Sequence, residues 1–192
     1  MTRFRTLTIA LAATLAMSLD ARAADGPLDY RVLATSRTST MEQELNEAGA
    51  AGYRFSKAIG GKSANGGQEV IVAMAKEVNA TGQGTRKYRL LAASKTSTMQ
   101  KEIQRLADDG YEYRDQAVFK SAFGGNEVVV IMELDPSAKD ARPSYRLLAT
   151  TKTSTMQKEL KEAGELGYRL LGLSIGQTAM GGDEIVAVLK KD

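Results

Sequence analysis

The chain has 192 residues, contains no cysteine, histidine or tryptophan, and carries a formal net charge of +3. The absence of cysteine excludes disulfides, thiol catalysis and thiolate metal sites, and the absence of histidine removes the commonest zinc ligand and the usual general base near neutral pH. The charge is too small for a nucleic-acid-binding protein, whose affinity rests on a large excess of Lys and Arg.

The first 23 residues have the pattern of a secretory signal peptide. Arg3 and Arg5 form a basic start, residues 7–17 form a short apolar run, and Ala21 and Ala23 match the signal peptidase site. The alternative, a membrane helix, needs roughly 20 apolar residues. Three of the 26 basic and one of the 23 acidic residues lie in this segment, so cleavage lowers the net charge from +3 to +1. We expect a periplasmic or secreted protein, with no membrane span in the mature chain.

One sequence unit occurs three times, at residues 28–77, 87–135 and 144–192. Every copy opens on a Tyr-Arg pair and then carries a basic residue followed by the identical tetrapeptide Thr-Ser-Thr-Met. A second tyrosine and a Gly-Gly pair follow at fixed offsets. Such self-similarity predicts tandem copies of one small fold, and the stretches between the copies are rich in Gly, Pro, Ala and polar residues, as linkers are.

Within each copy the pattern predicts the order strand, helix, strand, strand. A serine followed three residues later by Glu or Gln predicts a capping box at each helix start. Apolar residues at i, i+4 and i+7 predict one buried helix face, and a glycine predicts each helix end. The capping pairs are Ser39 with Glu42, Ser97 with Gln100 and Ser154 with Gln157; the stripes are Met41, Leu45 and Ala48, then Met99, Ile103 and Leu106, then Met156, Leu160 and Ala163; the glycines are Gly52, Gly110 and Gly167.

The last two strands of each copy are joined by the Gly-Gly pair, which predicts a hairpin turn. In the first two copies the final strand is a continuous apolar run, at residues 70–74 and 128–132. A strand that is apolar on both faces is usually covered on both, and the helix of one copy covers only one. We therefore predict an α+β protein of three tandem β-α-β-β repeats. Each repeat forms a three-stranded, mainly antiparallel sheet with strand order 1-3-2 and one helix, and the repeats pack sheet to sheet or close into a pseudo-threefold arrangement.

The helix end and second strand of each copy resemble a short bacterial family catalogued as domain of unknown function 4177. Residues 45–55 read LNEAGAAGYRF, and the other copies read IQRLADDGYEY and LKEAGELGYRL. Members of that family carry an LNxLGxxGWEL segment between a first strand and a final hairpin. This chain has tyrosine where the family usually has tryptophan, and three copies where one is usual. The resemblance supports the β-α-β-β prediction and implies no activity.

The basic-Thr-Ser-Thr-Met segment is the sharpest candidate site, because it is nearly identical in all three copies while the later strands differ. It lies between a strand end and a helix start, where backbone N–H groups, hydroxyls and a cation suit a phosphate, sulfate or carboxylate. The alternative is a helix cap beside a buried methionine. The candidate ligand-binding residues are Arg37, Thr38, Ser39, Thr40, Lys95, Thr96, Ser97, Thr98, Lys152, Thr153, Ser154 and Thr155.

Two other recurrent features are interpreted as structural. The Tyr-Arg pairs at Tyr30, Tyr88 and Tyr145 suit sugar stacking, but core tyrosines beside solvated or ion-paired arginines explain them better. Recurrent glutamates could catalyse glycoside hydrolysis as paired carboxylates. Ion pairing with the arginines or solvation of a strand edge explains them better. They are Glu44, Glu102 and Glu159 on the helices and Glu69, Glu127 and Glu184 after the Gly-Gly pairs.

The sequence favours a non-enzymatic binding or interaction module, with three like sites that add by avidity. We expect its partner to be a protein, a glycan or a small anion, and we expect no cofactor, no metal and no nucleic acid. A structural envelope protein that assembles with itself is the second interpretation, and a glycan hydrolase is the third.

Overall fold

The computed structural model describes residues 26–62, 67–79, 84–93, 95–120, 126–138, 142–177 and 182–192. The signal sequence lies outside these residues, as do Gly66, Gly124, Gly125 and Gly181 of the predicted hairpin turns. Each repeat contains three strands and one helix. Repeat 1 has β1 (Leu28–Thr35), α1 (Thr38–Ala50), β2 (Arg54–Lys62) and β3 (Gln68–Glu77); repeat 2 has β4 (Lys87–Ala93), α2 (Thr96–Asp108), β5 (Glu112–Lys120) and β6 (Asn126–Leu134); repeat 3 has β7 (Ser144–Thr150), α3 (Thr153–Glu165), β8 (Arg169–Gln177) and β9 (Asp183–Lys191).

The sheets have the orders β1-β3-β2, β4-β6-β5 and β7-β9-β8, and the central strand is antiparallel to both neighbours. The α+β fold with three tandem β-α-β-β repeats and strand order 1-3-2 is therefore confirmed. All three second strands carry one extra residue near their start, for example between Phe55 and Lys57, where the register shifts against β3. Such a bulge bends the strand and leaves a backbone group free to bond elsewhere.

The helices bury the predicted faces. Met41, Leu45 and Ala48 have no exposed surface, and the stripe of α2 is equally buried. In α3 the stripe is less covered, since Leu160 is half-buried. Each helix is followed by a glycine with φ between 86° and 90°, a backbone conformation that glycine adopts without a steric penalty.

The predicted capping boxes are wrong. The helices begin one residue before the serines, so the N-cap residues are Arg37, Lys95 and Lys152, all with extended backbone and none with a side-chain capping bond. Ser39 is then the second helical residue, and Glu42 lies beyond the first turn, where it cannot reach back to the cap. Glu42 and Gln100 bond the next repeat instead, as described below.

The three sheets form an open stack. We call the face of a sheet under its own helix the front, and the opposite face the back. In repeat 1 the front residues Leu33, Val72 and Met74 share one core with α1 and with Val129 and Ile131 from the back of sheet 2. The front of sheet 2 packs in the same way on Val186 and Val188 from the back of sheet 3.

Sheet 2 lies between the other two sheets, and both of its faces are covered. Consistent with this, β6 is buried from Val128 to Glu133 without a break. Contacts run from β2 and α1 to repeat 2, and from β5, β6 and α2 to repeat 3. Of the two predicted arrangements, the chain adopts sheet-to-sheet packing. No helix within the described ranges is long and apolar enough to cross a membrane.

Candidate functional site

The junction between repeats 1 and 2 is held by side chains of α1 that bond the free edge of β4. Asn46 Oδ1 accepts from the Tyr88 N–H at 2.9 Å, and Asn46 Nδ2 donates to the Tyr88 carbonyl at 3.0 Å. Glu42 accepts from the Leu90 N–H at 2.9 Å and pairs with Arg89 at 3.0 Å. The side chains of Glu42 and Asn46 thus bond backbone groups at the edge of β4 that a neighbouring strand would otherwise bond.

The junction between repeats 2 and 3 repeats this arrangement with glutamines. Gln104 Oε1 accepts from the Tyr145 N–H at 2.9 Å, and Gln100 Oε1 accepts from the Leu147 N–H at 2.6 Å. Gln100 Nε2 also donates to the Tyr145 carbonyl at 2.9 Å, and Gln104 Nε2 to the Pro143 carbonyl at 3.4 Å. The two junctions are therefore built on the same two helix positions.

A tyrosine from the back of each following sheet is buried in these junctions. The Phe55 N–H donates to Tyr88 Oη at 3.1 Å, and the Tyr113 N–H donates to Tyr145 Oη at 2.8 Å. Both donors lie at the bulge of the second strand. Burial is the main cause that raises the pKa of Tyr88 and of Tyr145 above the usual tyrosine value.

Small residues allow this close approach. A β-carbon at Gly60 would collide with the Val118 carbonyl, and one at Gly172 would collide with Tyr113 Oη. On α1, a β-carbon at Gly49 would lie 2.9 Å from the Arg86 carbonyl oxygen and 3.0 Å from the Tyr88 ring. Side chains at these positions would push the repeats apart.

The first sheet presents the same back face to solvent. Tyr30 is 61% exposed, whereas its equivalents Tyr88 and Tyr145 are 1% and 4% exposed. Neighbouring residues on this face are also exposed apolar side chains, which single-chain proteins seldom expose in a contiguous group. We call Leu28, Tyr30, Val32 and Ile59 the head face.

The third sheet leaves its front partly uncovered. Leu170 and Leu173 are 47% and 56% exposed, although their equivalents in repeat 2, Tyr113 and Gln116, are both 8% exposed. Ile175 is 64% exposed on the same face. We call Leu170, Leu173 and Ile175 the tail face; it lies on the same side of sheet 3 as α3.

The twelve residues predicted to bind a ligand occupy three separate helix starts. Thr38, Thr96 and Thr153 are the first helical residues, and the serines that follow are exposed. Thr35 Oγ1 accepts from the Arg37 N–H at 3.2 Å, and Thr150 does the same for Lys152 at 3.4 Å. No side chain caps the helix starts, so their first N–H groups have no side-chain partner, and the basic N-cap residue beside them is exposed. The residues of one repeat are brought together, whereas the three sets belong to different repeats.

The helix start of repeat 1 borders a shallow cleft of about 380 Å³ at the junction with repeat 2. Thr38, Ser39 and Glu42 line it on α1, and Leu90 lines it on β4. A similar cleft of about 510 Å³ lies beside Thr96, Ser97 and Gln100 at the second junction. Two of the three predicted sites therefore adjoin the contacts between repeats.

The structural interpretation of the Tyr-Arg pairs is confirmed for the tyrosines of repeats 2 and 3 and is wrong for Tyr30, which is exposed. The arginines do not pair with the recurrent glutamates. Arg31 and Arg146 stack on the second tyrosines of their repeats, Tyr53 and Tyr168, at 5.0 and 4.8 Å. The six recurrent glutamates are half-buried and make no ion pair within the described part of the chain.

Three buried polar residues were not expected from the sequence. Asp115 accepts from the Ala58 N–H at 3.1 Å and pairs with Lys57 at 2.8 Å across the first junction. Gln116 donates to Ser174 at 2.6 Å across the second. Glu133, 3% exposed, pairs with Arg114 at 2.8 Å and with Arg86 at 3.3 Å. Glu133 directly follows the continuous apolar run of β6, and this position could have indicated that its carboxylate is buried.

Within the residues that the structure describes, no three acidic side chains are grouped so that they could hold a metal ion. No protein-family model matches the sequence, and no curated protein and no solved structure matches it. The resemblance to the domain of unknown function 4177 therefore stays a prediction, and the functional argument rests on the surfaces described above.

Proposed function

We propose that the chain is a non-enzymatic interaction module of the periplasm or the cell exterior, and that the two ends of its stack are its binding surfaces. The exposed head face carries the argument. The equivalent back faces of sheets 2 and 3 are buried at the two internal junctions. There they make apolar contacts and hydrogen bonds with the preceding repeat.

Cross-linking in living cells that make the protein tests this proposal. A photoreactive phenylalanine analogue is placed at Tyr30 or at Leu173, and at exposed Lys101 on α2 as a matched control. We expect discrete covalent adducts of one or two masses from the two end positions and none from the control position. An absence of adducts at both ends would contradict the proposal.

The uncapped helix starts support a second candidate function, the binding of an anionic ligand or an acidic glycan. The supporting observation is that all three helices begin with a basic N-cap residue in extended conformation and with no acidic residue in the first turn. N–H groups at such a start, together with Lys or Arg, attract a phosphate, sulfate or carboxylate.

Nuclear magnetic resonance titration of the chain with inorganic phosphate, sulfate and an acidic oligosaccharide tests this second function. We expect amide shifts at Ser39, Ser97 and Ser154. The triple substitution of Arg37, Thr38 and Thr40 by alanine should abolish the shift at Ser39 and leave those at the other two serines, whereas Lys101→Ala should change none. Shifts that persist at Ser39 would count against binding there.

A further inference from the structure

The head face and the tail face are equivalent to the two surfaces that meet at each internal junction. The head face is the back of sheet 1 and the tail face is the front of sheet 3, and no described repeat covers either of them. The chain shows twice how such surfaces fit together. A partner for the head face must present a surface like the tail face, and a second copy of the chain presents that surface.

We infer that the chain associates head to tail with copies of itself, the head face of one copy packing against the tail face and α3 of another. This inference rests on the proposed function, because it names the partner of the same surfaces. A contact between two different surfaces is heterologous, so it extends into a ring or a filament instead of stopping at a twofold dimer.

Helix α3 retains a residue needed for this contact. Gln157 occupies the position of Gln100, which bonds the Leu147 N–H and the Tyr145 carbonyl in the second junction. The Gln157 side chain is exposed and makes no hydrogen bond to a described residue. In a head-to-tail contact the equivalent backbone groups are the Val32 N–H and the Tyr30 carbonyl of the next copy.

Helix α3 also retains the small residue. Gly164 occupies the position of Gly49, which lies against the ring of Tyr88. A β-carbon built at Gly164 meets no atom within 4 Å among the described residues. The space that the Tyr88 ring occupies beside Gly49 is thus unfilled beside Gly164, and we call it the notch on α3. Tyr30 of the next copy is equivalent to Tyr88 and would occupy it.

One position of α3 differs from α1 and α2, and it predicts that the contact between copies is weaker than the internal junctions. The equivalent of Asn46 and Gln104 is Lys161, whose ammonium cannot accept a hydrogen bond from the Tyr30 N–H. The contact between copies therefore lacks a bond that both internal junctions have. We expect Lys161→Gln to tighten the association roughly two- to tenfold, the effect of one added hydrogen bond.

Sedimentation velocity with complementary variants tests the inference. Tyr30→Glu with Val32→Glu removes the head face, and Leu170→Glu with Leu173→Glu removes the tail face. We expect the unmodified chain to form larger species as its concentration rises, and each variant alone to stay monomeric. An equimolar mixture retains one intact head face and one intact tail face, so it should form a dimer of one copy of each variant and nothing larger.

Two further variants control for misfolding and for non-specific association. Gly164→Leu fills the notch on α3 with a better helix former, so it should leave the fold of the single chain intact and abolish association. Leu166→Glu changes an exposed leucine whose equivalents Ala51 and Asp109 are also exposed, and it should assemble like the unmodified chain.

The inference is overturned if the unmodified chain is monomeric at every concentration, if the mixture stays monomeric, or if Gly164→Leu associates normally. Adducts of Tyr30 with a different protein in cells, combined with a monomeric purified chain, would refute self-association and leave the proposed interaction function intact. The absence of any adduct together with a monomeric chain would refute both.

Discussion

At the scale of the residue, the same amino acid has different roles at equivalent positions. Tyr30, Tyr88 and Tyr145 open the three repeats, yet only the latter two are buried and accept a backbone hydrogen bond. Their burial depends on whether another described repeat packs on the back of their sheet, which no local sequence pattern encodes. The sequence therefore predicted a core tyrosine in every repeat and was wrong at the first.

Gly60 tests the close approach of the first two repeats. We expect Gly60→Ala to lower the free energy of unfolding by about 1–3 kcal/mol, the usual cost of overpacking, because its β-carbon would strike the Val118 carbonyl. Gly61→Ala is the matched control, since a β-carbon there meets no described atom within 4 Å. Urea denaturation of both variants measures the difference, and equal stability would contradict the packing described at this junction.

The buried tyrosines predict a loss of stability in alkali. Burial raises the pKa of Tyr88, Tyr113 and Tyr145 above the value of 10.0 taken for the unfolded chain. Their contribution to stability is then fully present below pH 10 and is lost as the pH rises through the folded values. Urea denaturation across the alkaline range should show a falling free energy of unfolding, with a shallower fall for Tyr88→Phe. A constant value above pH 10 would contradict the burial of these rings.

At the scale of the element, the sequence predicted what depends on local periodicity. The helix stripes, the terminal glycines and the apolar central strands all follow from spacing within one repeat, and the structure confirms them. The capping boxes failed because Glu42 and Gln100 have partners in the next repeat, where they bond Leu90 and Leu147. A motif of four residues cannot distinguish a bond within the helix from one to a distant strand.

Helix α1 should contribute to stability through Asn46. We expect Asn46→Ala to lower the free energy of unfolding by about 1–3 kcal/mol, because it leaves the Tyr88 N–H and carbonyl without their partner. Lys161→Ala changes the equivalent exposed residue of α3 and should leave the unfolding of the dilute, single chain almost unchanged. Thermal or urea denaturation compares the two variants, and a similar loss in both would argue against the helix-to-strand contact.

At the scale of the whole molecule, three nearly identical units produce a chain whose ends are not equivalent. Each internal junction buries the front of one sheet and the back of the next, so the back of sheet 1 and part of the front of sheet 3 are exposed. The sequence predicted that apolar strand faces must meet another repeat or another subunit, and it left the arrangement open. The structure selects the open stack because repeat 2 separates repeats 1 and 3.

Hydrogen exchange of the backbone amides, measured over a range of protein concentrations, tests the central claim most directly. The amides of β4 are covered by α1 within the chain, so their exchange should be slow at every concentration. The equivalent amides of β1 at Tyr30 and Val32 should exchange fast in dilute solution and slow down as copies associate. Exchange of β1 that is independent of concentration, or as slow as that of β4 in dilute solution, would contradict the account of an open stack with a reactive head face.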